Sequence, residues 1–290
     1  MGPARTTRRQ FLRAALGVGG AAVLGTGIYS TLYEPFELKV ERISLAFPRL
    51  PREFDGLKIA QLSDLHYKPF TEEGQIRAAV QQCNRLNPDL VVITGDFITA
   101  PLWGSSAPQV RHAEVCARIL SGLRAPWGVF AALGNHDLAV DAYGISEILR
   151  AQHLRVVRNS AQPVERNGAR IWLAGLDDCL YGKPDLHRTL AHVPSNEFTA
   201  LLVHEPDVAD QARSYPVDLQ ISGHSHGGQV RLPWLGAPYL PPLARKYPWG
   251  LYRVGRLVLY SNRGIGTIGL PVRLNAPPEV TLFTLRCPGA

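Results

Sequence analysis

At 290 residues with 46 % apolar content, the chain can build one large α/β domain or two small ones around an ample core. Its formal charge of +7 is uneven: Arg5, Arg8, Arg9 and Arg13 supply 4 of it, no acidic residue precedes Glu34, and the remainder carries only +3. That weakly basic body, without a long Lys/Arg run, argues against nucleic-acid binding driven by bulk charge.

The first element in chain order is a leader over residues 1–33, with a basic head followed by an uncharged stretch over 14–33. Thr7-Arg8-Arg9-Gln10-Phe11-Leu12-Arg13 resembles the twin-arginine export signal of bacteria, which implies transport of an already folded protein by the twin-arginine machinery. A plain N-terminal anchor with positive-inside flanks is the alternative. No A-x-A-like cleavage site follows, and the uncharged stretch is close to bilayer-spanning length, although its five glycines weaken its hydrophobicity. The expectation is an uncleaved membrane tether, with the protein exported to the periplasm or cell envelope.

A connecting segment over 34–56 leads into a body over 57–290 that alternates strand-like and helix-like stretches, as α/β architecture does. The runs at 57–64 and 89–96 are short and apolar, hence buried strands. Between them, 73–87 places Ile76, Val80, Cys83 and Leu86 on one helical face, and Pro88 stops it. A helix is expected over about 109–123, a strand running into a loop over 127–137, and a short helix over 145–152. The stretches 169–178, 198–206, 217–226, 256–262 and 279–285 read as further strands, with fewer helices between them. Two packed sheets with helices outside fit this series. Cys83, Cys116, Cys179 and Cys287 are widely spaced and form no C-x-x-C, so neither a disulfide framework nor a zinc-thiolate site is expected.

One pattern recurs: an apolar strand ends and polar, ligand-type residues follow at once. LSDLH supplies Asp64 and His66, which point to the same side if the chain there is extended. ITGD supplies Asp96, LGNHD supplies Asn135, His136 and Asp137, LVHE supplies His204, and ISGHSH supplies His224 and His226. Five of the nine histidines sit at such ends; His112, His153, His187 and His192 lie in helical or loop stretches. Ligands of α/β sheets gather beyond the carboxyl ends of strands, so these ends are expected to converge. Each fragment alone is weak; the ordered set is not.

In motif order and spacing from about Leu57 onward, the chain resembles the calcineurin-like metallophosphoesterases. Together with the leader, GHSHGGQVRLPWLG (223–236) is most similar to the exported bacterial phosphoesterases of the YkuE/YaeI type. The resemblance implies a four-layer αββα sandwich of two mixed sheets, with a metal site at strand C-terminal ends. It further implies two divalent ions, one held by Asp64, His66, Asp96 and His226, the other by Asp96, Asn135, His204 and His224, with Asp96 shared. Carboxylate, amide and imidazole without thiolate suit Mn, Zn or Fe. His136 would stabilise or protonate the leaving oxygen, and Asp137 would orient it, unless Asp137 is a cap or turn aspartate. The implied substrate is a phosphodiester or phosphomonoester. A lipid-linked pyrophosphate of the UDP-diacylglucosamine type and a non-catalytic metal- or phosphate-binding role are the alternatives. Gly223, Gly227 and Gly228 are expected to keep the histidine loop slim.

Two features stay open. Asp177-Asp178 fits a turn or a contact with substrate. The segment 231–252, rich in Trp, Tyr, Leu and Pro, fits an apolar wall, an interfacial patch beside lipid, or a covering loop.

Overall fold

The computed structural model describes residues 7–69, 72–101 and 106–288; Arg5 of the basic head lies outside them. The first elements are α1 (Arg8–Leu32), β1 (Lys39–Ala46), β2 (Lys58–Leu62), α2 (Glu72–Arg85), β3 (Leu90–Thr94) and α3 (Ala107–Leu120). Next come β4 (Val129–Ala132), α4 (Asn135–Ala151), β5 (Leu154–Val156), β6 (Ser160–Arg166), β7 (Ala169–Gly175) and α5 (Leu186–Leu190). The chain closes with β8 (Thr199–Leu202), α6 (Ala209–Ala212), β9 (Leu219–Ser222), β10 (Gly250–Val254), β11 (Leu257–Ser261) and β12 (Glu279–Arg286).

Two six-stranded sheets form, in the orders β1-β12-β2-β3-β4-β5 and β10-β11-β9-β8-β7-β6. Both are mixed: β12 runs antiparallel to β2, while β10 and β6 run antiparallel to β11 and β7 at opposite edges of the second sheet. Strand alternation explains the layering. In the first sheet Ile59, Leu90, Val92 and Phe130 face the second sheet, where they meet Phe198, Leu202, Leu219 and Ile221. Their neighbours Ala60, Leu62, Val91 and Ile93 face outward and are covered by Ile76 and Val80 of α2, Cys116 and Leu120 of α3, and Ile145 and Leu149 of α4. The outer face of the second sheet buries Leu201, Leu257 and Leu259 against α5 and α6. Helices, sheet, sheet and helices make the four-layer αββα sandwich. All four cysteines are unpaired, and Cys83 and Cys116 are buried inside helices, where they pack as small apolar groups.

Four strands were not legible in the sequence: β1, β5, β6 and β10. They are the four sheet edges. An edge strand is half-exposed and carries charge and proline, as Lys39, Glu41, Arg42 and Pro163 do here, so no apolar run marks it. The segment 34–56 accordingly contributes a full strand, pairing in parallel from Lys39↔Glu279 to Ala46↔Arg286.

Helix α4 also starts ten residues before the expected 145–152 helix. Gly134 caps it, and the first turn holds Asn135, His136 and Asp137; an extended Asp141 kinks it partway. The expected loop at 135–137 is therefore a helix N-terminus.

Helix α1 opens on a capping box between Thr7 and Gln10 and is exposed along almost its whole length. Its 25 residues span about 37 Å at 1.5 Å per residue, enough for a hydrocarbon core of about 30 Å. It is the one helix among the described residues long and apolar enough to cross a membrane.

Candidate active site

The strand ends converge as the pattern required. Three overlapping clusters form, each with its ligand atoms within 4.8 Å: Asp64, His66 and His226; His66, Asp96 and His136; Asp96, His204 and His224. Asp96 lies at the centre. Its Oδ2 sits 3.4 Å from His66 Nε2 and 3.1 Å from His204 Nε2, so one carboxylate oxygen faces both halves of the site. Its Oδ1 accepts from the His136 backbone N–H at 2.9 Å, the first turn of α4 thereby fixing the carboxylate.

The loops that carry these residues are not extended. Asp64, His66, Asp96, His224 and His226 all have φ between 45° and 67°. The expectation that Asp64 and His66 share a side of an extended chain is thus corrected: β2 ends at Leu62, and a left-handed turn brings both inward. A non-glycine residue there costs about 1–3 kcal/mol, and such strain collects where function requires a geometry. Backbone bonds hold the turn, with Asp64 N–H donating to Gly95 O at 3.0 Å and His66 N–H to Asp96 O at 2.9 Å.

Space is as constrained as the backbone. A Cβ on Gly223 would lie 1.9 Å from Ser63 Oγ and 2.3 Å from Asp64 Oδ2, so the histidine loop can approach Asp64 only through glycine. His224 N–H then reaches the Asp64 carboxylate at 3.0 Å, and Ser63 Oγ donates to the same carboxylate at 2.6 Å.

The outer nitrogens of His204, His224 and His66 are committed to hydrogen bonds, which constrains their tautomers. His204 Nδ1–H donates to Thr94 O at 2.6 Å, leaving Nε2 towards Asp96. His224 Nε2–H donates to Pro242 O at 2.9 Å, leaving Nδ1 free. His66 Nδ1 meets Thr99 Oγ1 at 3.1 Å, and its Nε2 lies 3.0 Å from His226 Nε2. Two imidazole nitrogens aimed at one point, and a buried Asn135 Oδ1 with no hydrogen-bond partner, fit a cation better than they fit each other.

The electrostatics agree. Burial holds the pKa of His66 and His226 well below the ordinary value and brings His224 down to about 4, so all three offer lone pairs at neutral pH. Burial pushes Asp64 up to about 6. Burial alone would also raise Asp96, but His204, His136 and His66 override it and hold the carboxylate well below its usual range. His204 is conversely raised, against burial, by Asp96. The residues therefore fit two divalent ions: Asp64, His66, Asp96 and His226 could hold one, and Asp96, Asn135, His204 and His224 the other.

His136 lines the cavity beside them, its ring edge-on to His66 at a centroid distance of 4.9 Å. Its Nδ1 accepts from the Ala100 N–H at 3.0 Å, which places the proton of the neutral ring on Nε2. Asp137 does not orient it. The Asp137 carboxylate is buried and takes N–H donors from Asp96, Phe97 and Gly134, each at 2.9 Å. Burial and then the Asp96 charge push its pKa up to about 8 against those donors. Asp137 is the cap that ties the 95–98 loop to α4, and a backbone amide does the orienting assigned to it.

Asp177 and Asp178 also build a turn. Asp177 pairs with Arg158 at 2.6 Å, and Asp178 Oδ1 accepts from the Leu180 and Tyr181 amides at 3.0 and 2.6 Å. The turn presents Leu180 and Tyr181 to the cavity.

One group of contributors went unread. Arg273 is fully buried and donates to the carbonyls of Ala276, Arg263, Gly264 and Gly266. It clamps the 263–266 loop, whose Ile265 and Gly266 amides hold Ser63 O and Asp64 O from behind. The signal was present: Asn262-Arg263-Gly264 follows the last residue of β11, Ser261, so here too a strand is followed at once by polar residues and glycine.

The cluster opens into a cavity of about 680 Å³. His66, Asp96, Asn135, His136, His224 and His226 form its floor, while Leu180, Tyr181, Pro238, Tyr239, Pro241, Pro242 and Ile268 form an apolar wall. Of the readings for 231–252, residues 238–242 thus supply a wall of the site.

Comparison with known proteins agrees with this arrangement. The chain is 37 % identical to the metallophosphoesterase YkuE of Bacillus subtilis, over 97 % of its own length and 98 % of that protein's. It is 32 % identical to the phosphodiesterase YaeI of Escherichia coli, over 96 % and 99 % respectively. It is 28 % identical to the UDP-2,3-diacylglucosamine pyrophosphatase LpxG of Chlamydia trachomatis, over 92 % and 94 %. Residues 57–228 match the profile of the calcineurin-like phosphoesterases. That span starts at β2 and ends just past the histidine loop, so it takes in every one of the clustered ligand residues, and the chain is a hydrolase of the calcineurin-like phosphoesterase family.

Proposed function

We propose that the chain hydrolyses a phosphoester at the cell envelope with two divalent ions, Mn, Zn or Fe, held about the shared Asp96. The observation that carries this reading is Asp96 Oδ2 between His66 Nε2 and His204 Nε2, at 3.4 and 3.1 Å, with a complete ligand set on each side. Two such ions, when bound, neutralise phosphoryl oxygens and lower the pKa of water towards neutrality.

The chain's own residues do the rest. The cavity seats the ester group over the histidine floor, and the apolar wall of Tyr239, Pro241 and Pro242 excludes bulk water from one side. His136 presents its Nε2 proton, fixed there by the Ala100 amide, to the departing oxygen. Asp137 holds the loop so that Asp96 and His136 keep their mutual position.

The leader supports export by the twin-arginine route, with α1 as the retained membrane tether. A second reading narrows the substrate to a lipid-linked pyrophosphate. The apolar wall favours it, since an aqueous phosphomonoester has no use for that surface, and LpxG is named for such a substrate.

The test is hydrolysis of bis-p-nitrophenyl phosphate and p-nitrophenyl phosphate by metal-stripped protein resupplied with Mn, Zn, Fe or Mg. Turnover restored by metal and lost in Asp96→Asn is the expected result. Metal bound without turnover of either ester or of a lipid-linked pyrophosphate would leave a binding protein.

A further inference from the structure

Three strongly exposed apolar side chains of the body, Trp234, Leu235 and Leu270, sit at the cavity rim on segments that flank cavity-lining residues: Val230 and Pro238 bracket the first two, and Gly269 precedes the third. A tight hairpin closes between Leu232 and Gly236, with N–H···O distances of 2.8 and 3.0 Å. At its tip Trp234 is 103 % exposed with φ at 63°, and the next residue, Leu235, is 81 % exposed. In the isolated chain neither the apolar surface nor the strained backbone is offset by any packing. Leu270, 73 % exposed, belongs to the same rim, because Gln229 Nε2 donates to the carbonyls of both Ile268 and Leu270.

This rim is also where α1 meets the body. Arg273 N–H donates to Ser30 O in the last turns of α1 at 2.9 Å, and Ala276 N–H donates to Glu34 Oε1 at 2.7 Å. Leu274 N–H donates to Gln229 O at 2.9 Å, and Arg231 N–H to Leu274 O at 2.7 Å. The end of α1, the 270–276 segment and the start of the hairpin are therefore one hydrogen-bonded unit. A bilayer crossed by α1 would begin where this unit lies.

We propose that the 232–236 hairpin and Leu270 insert into the lipid interface beside α1, setting the mouth of the cavity against the membrane surface. The inference rests on the reading of α1 as a tether. Tryptophan prefers this zone, where its ring is shielded and its indole N–H stays hydrated, and leucine supplies the apolar depth. The Arg245 guanidinium, exposed and in no ion pair among the described residues, adds a cation on the same 231–252 segment for anionic headgroups. A lipid-borne phosphoester would then reach the histidine floor along Tyr239 and Ile268 without crossing water, its chains leaving over the apolar wall.

The test uses the full chain in nanodiscs of phosphatidylethanolamine and phosphatidylglycerol, with plain lipids or lipids brominated high in the acyl chain. Tryptophan emission is compared between the wild type and Trp234→Phe. The expected result is loss of the Trp234-dependent emission in brominated discs alone, with soluble-diester turnover equal in both proteins. Incorporation into discs with Trp234 emission indifferent to bromine overturns the docking and leaves the tether standing. Failure to incorporate removes tether and docking together. Quenching that appears only as the protein-to-disc ratio rises assigns the rim to a second copy of the chain and likewise overturns the proposal.

Discussion

The floor of the cavity and the rim of its wall are held in opposite ways. In and just beneath the floor, Asp96, Asp64 and His204 are buried and hydrogen-bonded, with glycines packed against them too closely for a Cβ. On the rim, Trp234, Leu235 and Leu270 stand in solvent at the ends of short turns. Charged ligands must be fixed before a cation arrives, because each uncompensated displacement of a buried carboxylate is costly. An apolar surface needs only to be presented. The floor therefore tolerates almost no change, and the rim tolerates nearly any change in isolation.

The largest effect is expected at His136. His136→Ala should lower turnover by about 10²–10⁴-fold, the range for a lost general acid, while metal content stays at the wild-type value. A parallel loss of metal would instead make His136 a ligand.

Next is the support beneath the floor. Arg273→Met leaves the carbonyls of Ala276, Arg263 and Gly266 without their donor, Gly264 O keeping the Glu279 N–H, and should cost about 3 kcal/mol, roughly 6–12 °C in Tm, with Arg273→Lys recovering part of it. Equal stability of the two variants would show that filling the volume, not the hydrogen bonding, is what matters.

Gly223→Ala should cost about 1–3 kcal/mol by overpacking against Ser63 and Asp64. Binding of the ion next to Asp64 should weaken with it, read by metal titration of the variant. On the rim, Leu235→Ser should change stability by no more than about 0.5 kcal/mol and leave soluble-diester turnover unaltered. A rim substitution that impaired the soluble reaction would show that the wall acts on the floor.

The sequence made the floor legible and the edges not. An inner strand such as β3, LVVIT, is apolar because both of its faces are covered, and β2, β3, β4, β8 and β9 are each followed within three residues by a residue type that binds cations. The edges β1 and β6 have solvent on one side, so their composition carries no such mark. The left-handed turns at Asp64 and His66 were invisible because nothing in their side chains announces positive φ; the contacts that hold it come from other loops, Gly95 and Asp96 after β3 and, 160 residues away, the His224 N–H on Asp64. Asp137 illustrates a different limit. Its place beside His136 in the sequence suggested a partnership, yet on a helix consecutive residues point in different directions, and its carboxylate turned back to the helix cap.

The most direct test of the shared-carboxylate centre is the metal content of the full chain after saturation and removal of free ion, measured by plasma mass spectrometry. Two divalent ions per chain are expected for the wild type and fewer for Asp96→Asn, because Asp96 Oδ2 faces the histidines of both positions. A single ion per chain, or a count unchanged in Asp96→Asn, would contradict a shared-carboxylate centre.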